Sequence, residues 1–350
     1  MSLYETLRPL LFRLPPETAH RLSQVGLQVA QRTPFERGLA AALPVRDERL
    51  ETTVLGQEFP NPVGVAAGYD KSARIPRGLA ALGFGFVEVG GVTASPQSGN
   101  PGPRLFRLPA DRALINRLGL NNDGADVVGR RLAALDTPVP VGVNLAKGES
   151  VPLGAAPAEY REVYEAVAAG GDFFVVNVSC PNSQGFEALQ TRDAMAAILS
   201  ELRDAGASPL LVKLSPDLPE PAVDDALEVV RELGLDGVVA TNTTTDRPAS
   251  LSGSAAAESG GLSGRPLESS ATAMVRYVAE RVDVPVIGVG GVATAAGAYR
   301  KIRAGASLVQ LYTALVYRGP AVAREINRGL VGLLERDGFD SVADAVGADL

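Results

Sequence analysis

The chain holds one cysteine, one histidine, three methionines and no tryptophan. A single thiol excludes an internal disulfide framework and suits a reducing cytoplasm. One cysteine and one histidine are too few for an ordinary zinc site, so no structural metal is expected. Lysine is scarce as well. Only Lys71, Lys147, Lys213 and Lys301 occur among 33 basic residues, and the other 29 are arginine. Acidic residues number 40, which sets a net charge of −7 and argues against a nucleic-acid partner. No uncharged apolar run reaches the roughly 18 residues a membrane span needs. The opening segment is interrupted by Glu5, Arg8 and Arg13, and it lacks the unbroken apolar core and small-residue cleavage site of a secretory leader.

What remains is a chain of 350 residues, 46% apolar, long enough for one large α/β barrel or two smaller domains. From about Asn61 onward, eight short apolar runs alternate with helix-like stretches. They start at Val63, Phe86, Val139, Phe173, Leu210, Gly237, Val286 and Ser307. Apolar runs separated by segments such as Pro221 to Leu233 and Ser270 to Val282 are the pattern of parallel βαβ units. The expected fold is an α/β (β/α)8 TIM barrel over residues 46–350, with a doubly wound open sheet as the competing architecture. Arg46 to Pro60 reads as a hairpin closing the barrel floor, and Ser95 to Asn122 as a long functional insertion. Before the barrel, residues 1–45 read as a small helical domain. Leu3, Leu7, Leu10, Leu11 and Leu14 share one helix face, and a second amphipathic helix runs from Thr18 to about Gln31. This pair either packs on the barrel or dips into a lipid interface.

Catalysis in such a barrel belongs at the C-terminal strand ends, where the polar residues are amide-rich. The first strand ends in Ala67-Gly68-Tyr69-Asp70-Lys71, the third in Asn144 to Lys147, and the fourth in Asn177. The fifth ends in Lys213, the sixth in Thr241-Asn242-Thr243, and the insertion adds Asn116 to Asn122. Amide-rich linings suit a planar polar heterocycle. Three of the four lysines also fall at strand ends, where a compact ammonium can meet a single carboxylate or carbonyl oxygen. Lys213 could equally be a Schiff-base nucleophile in a phosphate-binding barrel. Gly260-Gly261-Leu262-Ser263-Gly264 and Gly288-Val289-Gly290-Gly291 fall where barrels usually bind phosphate. A phosphate site beside a ring site points to flavin mononucleotide, FMN. The lone Cys180 follows the Phe173 to Asn177 run in Asn177-Val178-Ser179-Cys180-Pro181-Asn182, and it is either a small buried hydrophobe or a reactive thiol at a strand end.

Six segments, in this order, resemble the dihydroorotate dehydrogenase family. They are Ala66 to Lys71, Ile115 to Gly119, Asn177 to Asn182, Thr241 to Thr244, Gly260 to Leu267 and Ala304 to Thr313. The N-terminal helices, Arg107 and Arg117 resemble its quinone-dependent, membrane-associated class 2. The resemblance implies oxidation of dihydroorotate to orotate in pyrimidine synthesis by an FMN enzyme that passes electrons to quinone. It implies a peripheral place on the cytoplasmic side of the cell membrane. Carried over by position, Lys71, Asn116, Arg117, Leu118, Gly119, Leu120, Asn177, Asn182, Asn242 and Thr243 would bind substrate. Ala67, Gly68, Tyr69, Asp70, Lys71, Gly91, Asn144, Asn177, Lys213, Thr241, Gly264, Gly291, Tyr312 and Thr313 would bind FMN, with Lys213 stabilising negative charge at the ring edge. His20 and Arg107 would line the quinone tunnel. Cys180 would be the base that takes a proton from C5 while C6 gives up hydride. Three positions depart from class 2, which has serine at Cys180, phenylalanine at Leu120 and threonine or serine at Gly91. The first two departures look like the soluble class 1 enzymes.

Overall fold

The computed structural model describes residues 3–179 and 187–350; Cys180 and Asn182 lie outside the described residues. Three helices lead, α1 (Leu3–Leu11), α2 (Pro16–Ala30) and α3 (Phe35–Ala42), followed by a hairpin of β1 (Thr52–Val54) and β2 (Gln57–Phe59). The chain then runs through β3 (Val63–Val65), α4 (Pro76–Ala81), β4 (Phe86–Val92), β5 (Leu105–Leu108), β6 (Ala113–Asn116) and α5 (Ala125–Ala133). Next come β7 (Val141–Leu145), α6 (Ala156–Val167), β8 (Phe173–Asn177), α7 (Arg192–Asp204), β9 (Leu210–Leu214), α8 (Glu220–Glu232) and β10 (Gly237–Ala240). The last stretch holds β11 (Gly261–Gly264), α9 (Glu268–Ala279), β12 (Val286–Val289), α10 (Ala295–Arg303), β13 (Ala306–Leu311), α11 (Thr313–Arg318) and α12 (Val322–Asp337).

Strands β3, β4, β7, β8, β9, β10, β12 and β13 close into a parallel barrel, and they coincide with the eight apolar runs. Side chains alternate across a strand, so every second residue points inward. The lower interior is filled by Phe86, Phe173, Val175, Leu211, Val239, Ile287 and Leu308, packed as one cluster with Phe59 of the hairpin. Each such fully buried side chain contributes roughly 2 kcal/mol relative to exposure. Phe59 meets Phe86 edge to face, with ring centroids 5.4 Å apart, so the hairpin closes the barrel floor as its pattern predicts. Gly64 makes room for this plug, since a Cβ there would stand 2.5 Å from the Phe86 ring.

Three elements differ from the sequence expectation. The Ser95 to Asn122 insertion is not a bare loop, because β5 and β6 pair antiparallel inside it. Gly261–Gly264, expected as a phosphate loop, is the third strand of that sheet and pairs with β6. The leading region has a third helix, α3, where a pair was expected; it starts behind Pro34, whose fixed φ suits a helix start.

The leading helices dock by polar contacts. Tyr4 donates to the Val316 carbonyl at 2.6 Å, Arg8 to the Tyr317 carbonyl at 2.8 Å and Gln24 to the Tyr69 carbonyl at 2.6 Å. Glu17 pairs with Arg104 at 2.9 Å. Their outer faces expose Leu7, Leu10, Leu22, Val25, Val29 and Phe35. The helices therefore pack on the barrel and keep an apolar side outward. No helix among the described residues is long and apolar enough to cross a membrane.

Candidate active site

Above the apolar plug the inward positions turn polar together. Two residues beyond Phe86 stands Glu88, and two residues further along their own strands Val175 gives way to Asn177, Leu211 to Lys213, Val239 to Thr241 and Leu308 to Gln310, with Asn144 on β7. All six are buried, and Glu88, Asn144 and Gln310 are wholly so. The layer is bonded to itself. Glu88 accepts from Asn144 Nδ2 at 2.7 Å and from Gln310 Nε2 at 2.6 Å, and Lys213 Nζ lies 3.6 Å from Glu88 Oε1. Asn177 donates to Asn144 Oδ1 at 3.1 Å, and its own Oδ1 accepts from Asn242 Nδ2 at 3.4 Å. The inner face of α6 holds this corner, because Tyr160 donates to the Asn177 carbonyl at 2.8 Å. Lys213 is thus paired with a buried carboxylate, a poor setting for a Schiff-base amine.

This layer floors a cavity of about 1500 Å³, its mouth included. One side carries Lys71, whose Nζ donates to the Gly119 carbonyl at 2.5 Å and to Asn121 Oδ1 at 2.9 Å. Asn116, Asn242 and Thr243 line the same cavity. The lining also includes Gly264, Gly290, Gly291 and Thr294, where α10 begins, and Ser263 and Thr313, whose hydroxyls are 2.8 Å apart. Gly264 cannot be replaced freely: its φ is +99°, and a Cβ would stand 2.4 Å from the Arg112 carbonyl. Two buried polar atoms of residues that line the cavity, Gln310 Oε1 and the Tyr312 hydroxyl, have no hydrogen-bond partner among the described residues. Such orphans cost about 1–3 kcal/mol each unless a ligand satisfies them. A polar ring over lysine and amides, with a phosphate at the glycine end beside a helix N-terminus, meets these demands, so the residues fit FMN.

A second cavity lies between the leading helices and the barrel, lined mostly by apolar groups. Leu105, Leu114 and Tyr312 line both cavities. His20 sits in the second, its ring 5.0 Å from Tyr69 and 6.2 Å from Tyr312 by centroids. Burial, aided by the charge on Lys71 and opposed by Glu17, lowers the His20 pKa to about 4, so the ring is neutral at pH 7. Burial raises Tyr69 to about 12. Arg107 also lines this cavity; it donates to the Leu14 carbonyl at 2.9 Å and lies 4.5 Å over the Phe12 ring.

A family model described as dihydroorotate dehydrogenase matches residues 49–334. The chain is 68% identical over 350 residues, all of both chains, to a protein of Haloarcula marismortui named dihydroorotate dehydrogenase (quinone). The chain belongs to the dihydroorotate dehydrogenase family. A Deinococcus radiodurans protein of the same name is 46% identical over 368 residues, covering 99% of this chain and 100% of that one. Among solved structures, the Eimeria tenella DHODH crystallised with ferulenol superposes with a TM-score of 0.89 at 36% identity, covering 95% of each chain.

Most family positions converge on the first cavity. Ala67, Gly68, Lys71, Gly91, Asn116, Leu118, Gly119, Leu120, Asn144 and Asn177 line it, as do Lys213, Thr241, Asn242, Thr243, Gly264, Gly291, Tyr312 and Thr313. Three expected positions do not. Tyr69 lines the second cavity instead. The Asp70 carboxylate is wholly buried in its own turn, accepting from the backbone N–H groups of Ser72, Arg74 and Ile75. Arg117 points outward to Glu258 at 2.6 Å and stacks over Phe106. Lys147, at a strand end, bonds the Gly148 and Val151 carbonyls and holds its own loop. Glu88 and Gln310, which belong to no expected site position, continue the inward period-two pattern of their strands.

Proposed function

We propose that this chain oxidises dihydroorotate to orotate in pyrimidine synthesis, with FMN in the first cavity and a quinone in the second. One observation carries the reading: a polar, amide-floored cavity and an apolar one share the wall formed by Leu105, Leu114 and Tyr312. When bound, FMN supplies a two-electron carrier, taking hydride from the substrate and yielding electrons to quinone.

The chain's own residues do the rest. Lys71, fixed by Gly119 and Asn121, offers a positioned cation to the orotate carboxylate. Asn116, Asn177 and Asn242, with Asn182 from the sequence, offer amides to the ring. Thr243 gives its backbone N–H to Asn242 Oδ1 at 2.8 Å, which steadies that asparagine. Asn144, Asn177, Lys213 and Thr241 would lie under the cofactor ring, and Gly264, Gly291 and Thr313 at its phosphate. Cys180, which follows the end of β8 by three residues in the sequence, would take the proton from substrate C5. His20 and Arg107 would meet the quinone, the former as a neutral imidazole. Residues 1–45 would form the quinone module, whose exposed leucines, valines and Phe35 rest on the membrane surface at the cytoplasmic side.

The test is acceptor preference on purified protein. Dihydroorotate should bleach a bound flavin, and quinone should restore the colour faster than fumarate or NAD. Deleting residues 1–40 should abolish quinone turnover and leave bleaching intact. A colourless protein would sink the FMN reading and favour the aldolase-like alternative; equal turnover with fumarate would sink the quinone assignment.

A further inference from the structure

We propose that Glu88, which stands behind the cavity lining, is the positioning residue that sets the hydrogen-bond polarity and net charge of the cofactor floor through Asn144, Gln310 and Lys213. Glu88 lies mid-strand on β4, is wholly buried and does not line the cavity. Its three partners come from three other strands, β7, β13 and β9, and each of them does line it. A buried carboxylate survives only where its oxygens are satisfied, and here two amides and an ammonium satisfy them.

The direction of these bonds follows from chemistry. An ionised carboxylate can only accept, so Asn144 and Gln310 must both turn their NH2 groups to it. Their amide oxygens are then aimed the other way. Asn144 Oδ1 receives Asn177 Nδ2 at 3.1 Å, which in turn leaves Asn177 Oδ1 to accept from Asn242 Nδ2 at 3.4 Å and from the Ser179 N–H at 3.3 Å. One buried acceptor on β4 thereby orders the amides of three further residues. The same logic leaves Gln310 Oε1 as a bare acceptor without a partner among the described residues. A glutamine at position 88 would break the pattern, since it offers one oxygen and one NH2, and one of the two facing amides would have to turn over.

Charge is the second consequence. Glu88 and Lys213 neutralise each other beneath the cavity, so Lys213 presents a directed cation without a large net field. Removing the carboxylate charge leaves a net positive floor, and removing the ammonium leaves a net negative one.

The inference rests on the FMN reading, and holoenzyme measurements separate the two: a wild type without flavin fails that reading, whereas a flavin-loaded wild type tests this one. The reduction potential of bound flavin and its rate of release are measured at pH 6.5 for Glu88→Gln, Glu88→Asp, Lys213→Met and the double variant Glu88→Gln/Lys213→Met. In E88Q the potential should rise and flavin should leave about tenfold faster or more, the loss expected from one misdirected buried hydrogen bond. E88D keeps the charge but cannot reach both amides, so release should quicken while the potential stays near wild type. K213M should lower the potential, and the double variant should recover most of that fall; this pair carries the test if E88Q does not fold. An E88Q potential equal to wild type overturns the proposal, including the case where flavin is lost faster at an unchanged potential, which would mark Glu88 as packing alone. A double variant no different from K213M overturns it as well.

Discussion

His20 is the only histidine, so its titration can be followed without interference. Burial, with Lys71 close by, moves its pKa from 6.5 to about 4. At 1.36 kcal/mol per pKa unit this amounts to about 3 kcal/mol between folded and unfolded chains. The ring keeps some exposure, which trims the figure to about 2 kcal/mol after solvent screening. The sign follows from linkage. The folded state resists protonation, so this stability is fully present above pH 6.5 and is lost as pH falls from 6.5 toward 4. For a chain of this length, at about 2 cal/mol/K of unfolding entropy per residue, the loss is roughly 3 °C in Tm. The assay compares wild type with His20→Gln by thermal unfolding from pH 7.5 to 4. Carboxylates titrate in both proteins, so the change in the difference isolates the imidazole. Wild type should lose about 3 °C relative to H20Q on acidification, and the labelled ring should titrate near 4 by NMR. A ring midpoint of 6 or above, or a pH-independent Tm difference, would refute the burial of His20 against Tyr69 and Lys71.

Three further outcomes follow from the site. Asp70→Ala strips acceptors from three backbone N–H groups, two of them buried, and should lower stability by about 3 kcal/mol in urea titration, whereas Asp70→Asn, which keeps an acceptor, should lose about half as much. Gly264→Ala forces a Cβ to 2.4 Å from the Arg112 carbonyl at a φ of +99°, so flavin release from the holoenzyme should quicken about tenfold or more; unchanged release would remove Gly264 from the phosphate end. Cys180 has a thiol reference pKa of about 8.5, far below an alcohol's, so single-turnover flavin reduction should show a lower apparent pKa in wild type than in Cys180→Ser. Identical pH profiles would sink the lowered pKa, and Cys180→Ala reducing flavin at the native rate would mean that Cys180 is not the base.

The barrel was legible because parallel strands buried on both faces read as apolar runs, and all eight runs from Val63 to Tyr312 became its staves. The strand-end polar residues were legible for the same reason: Asn144, Asn177, Lys213 and Thr241 interrupt those runs where side chains must face the cavity. Other parts were not. Gly261–Gly264 looked like a loop because glycine marks turns, yet its strand form depends on β6, which lies over 140 residues earlier in the chain. Asp70 and Arg117 sit inside motif segments, and only the folded backbone shows that their side chains turn away from the cavity. Glu88 is the instructive miss. A lone carboxylate in Phe86-Val87-Glu88-Val89 reads as a solvated strand position, but no strand of a closed parallel barrel has a solvated face at its centre. Counting inward residues in twos from Phe86 puts Glu88 level with Lys213 and Gln310, and an anion at that height must have partners there. The signal was therefore present as a register rather than a motif, and the same count applied to β13 finds Gln310 two residues beyond Leu308.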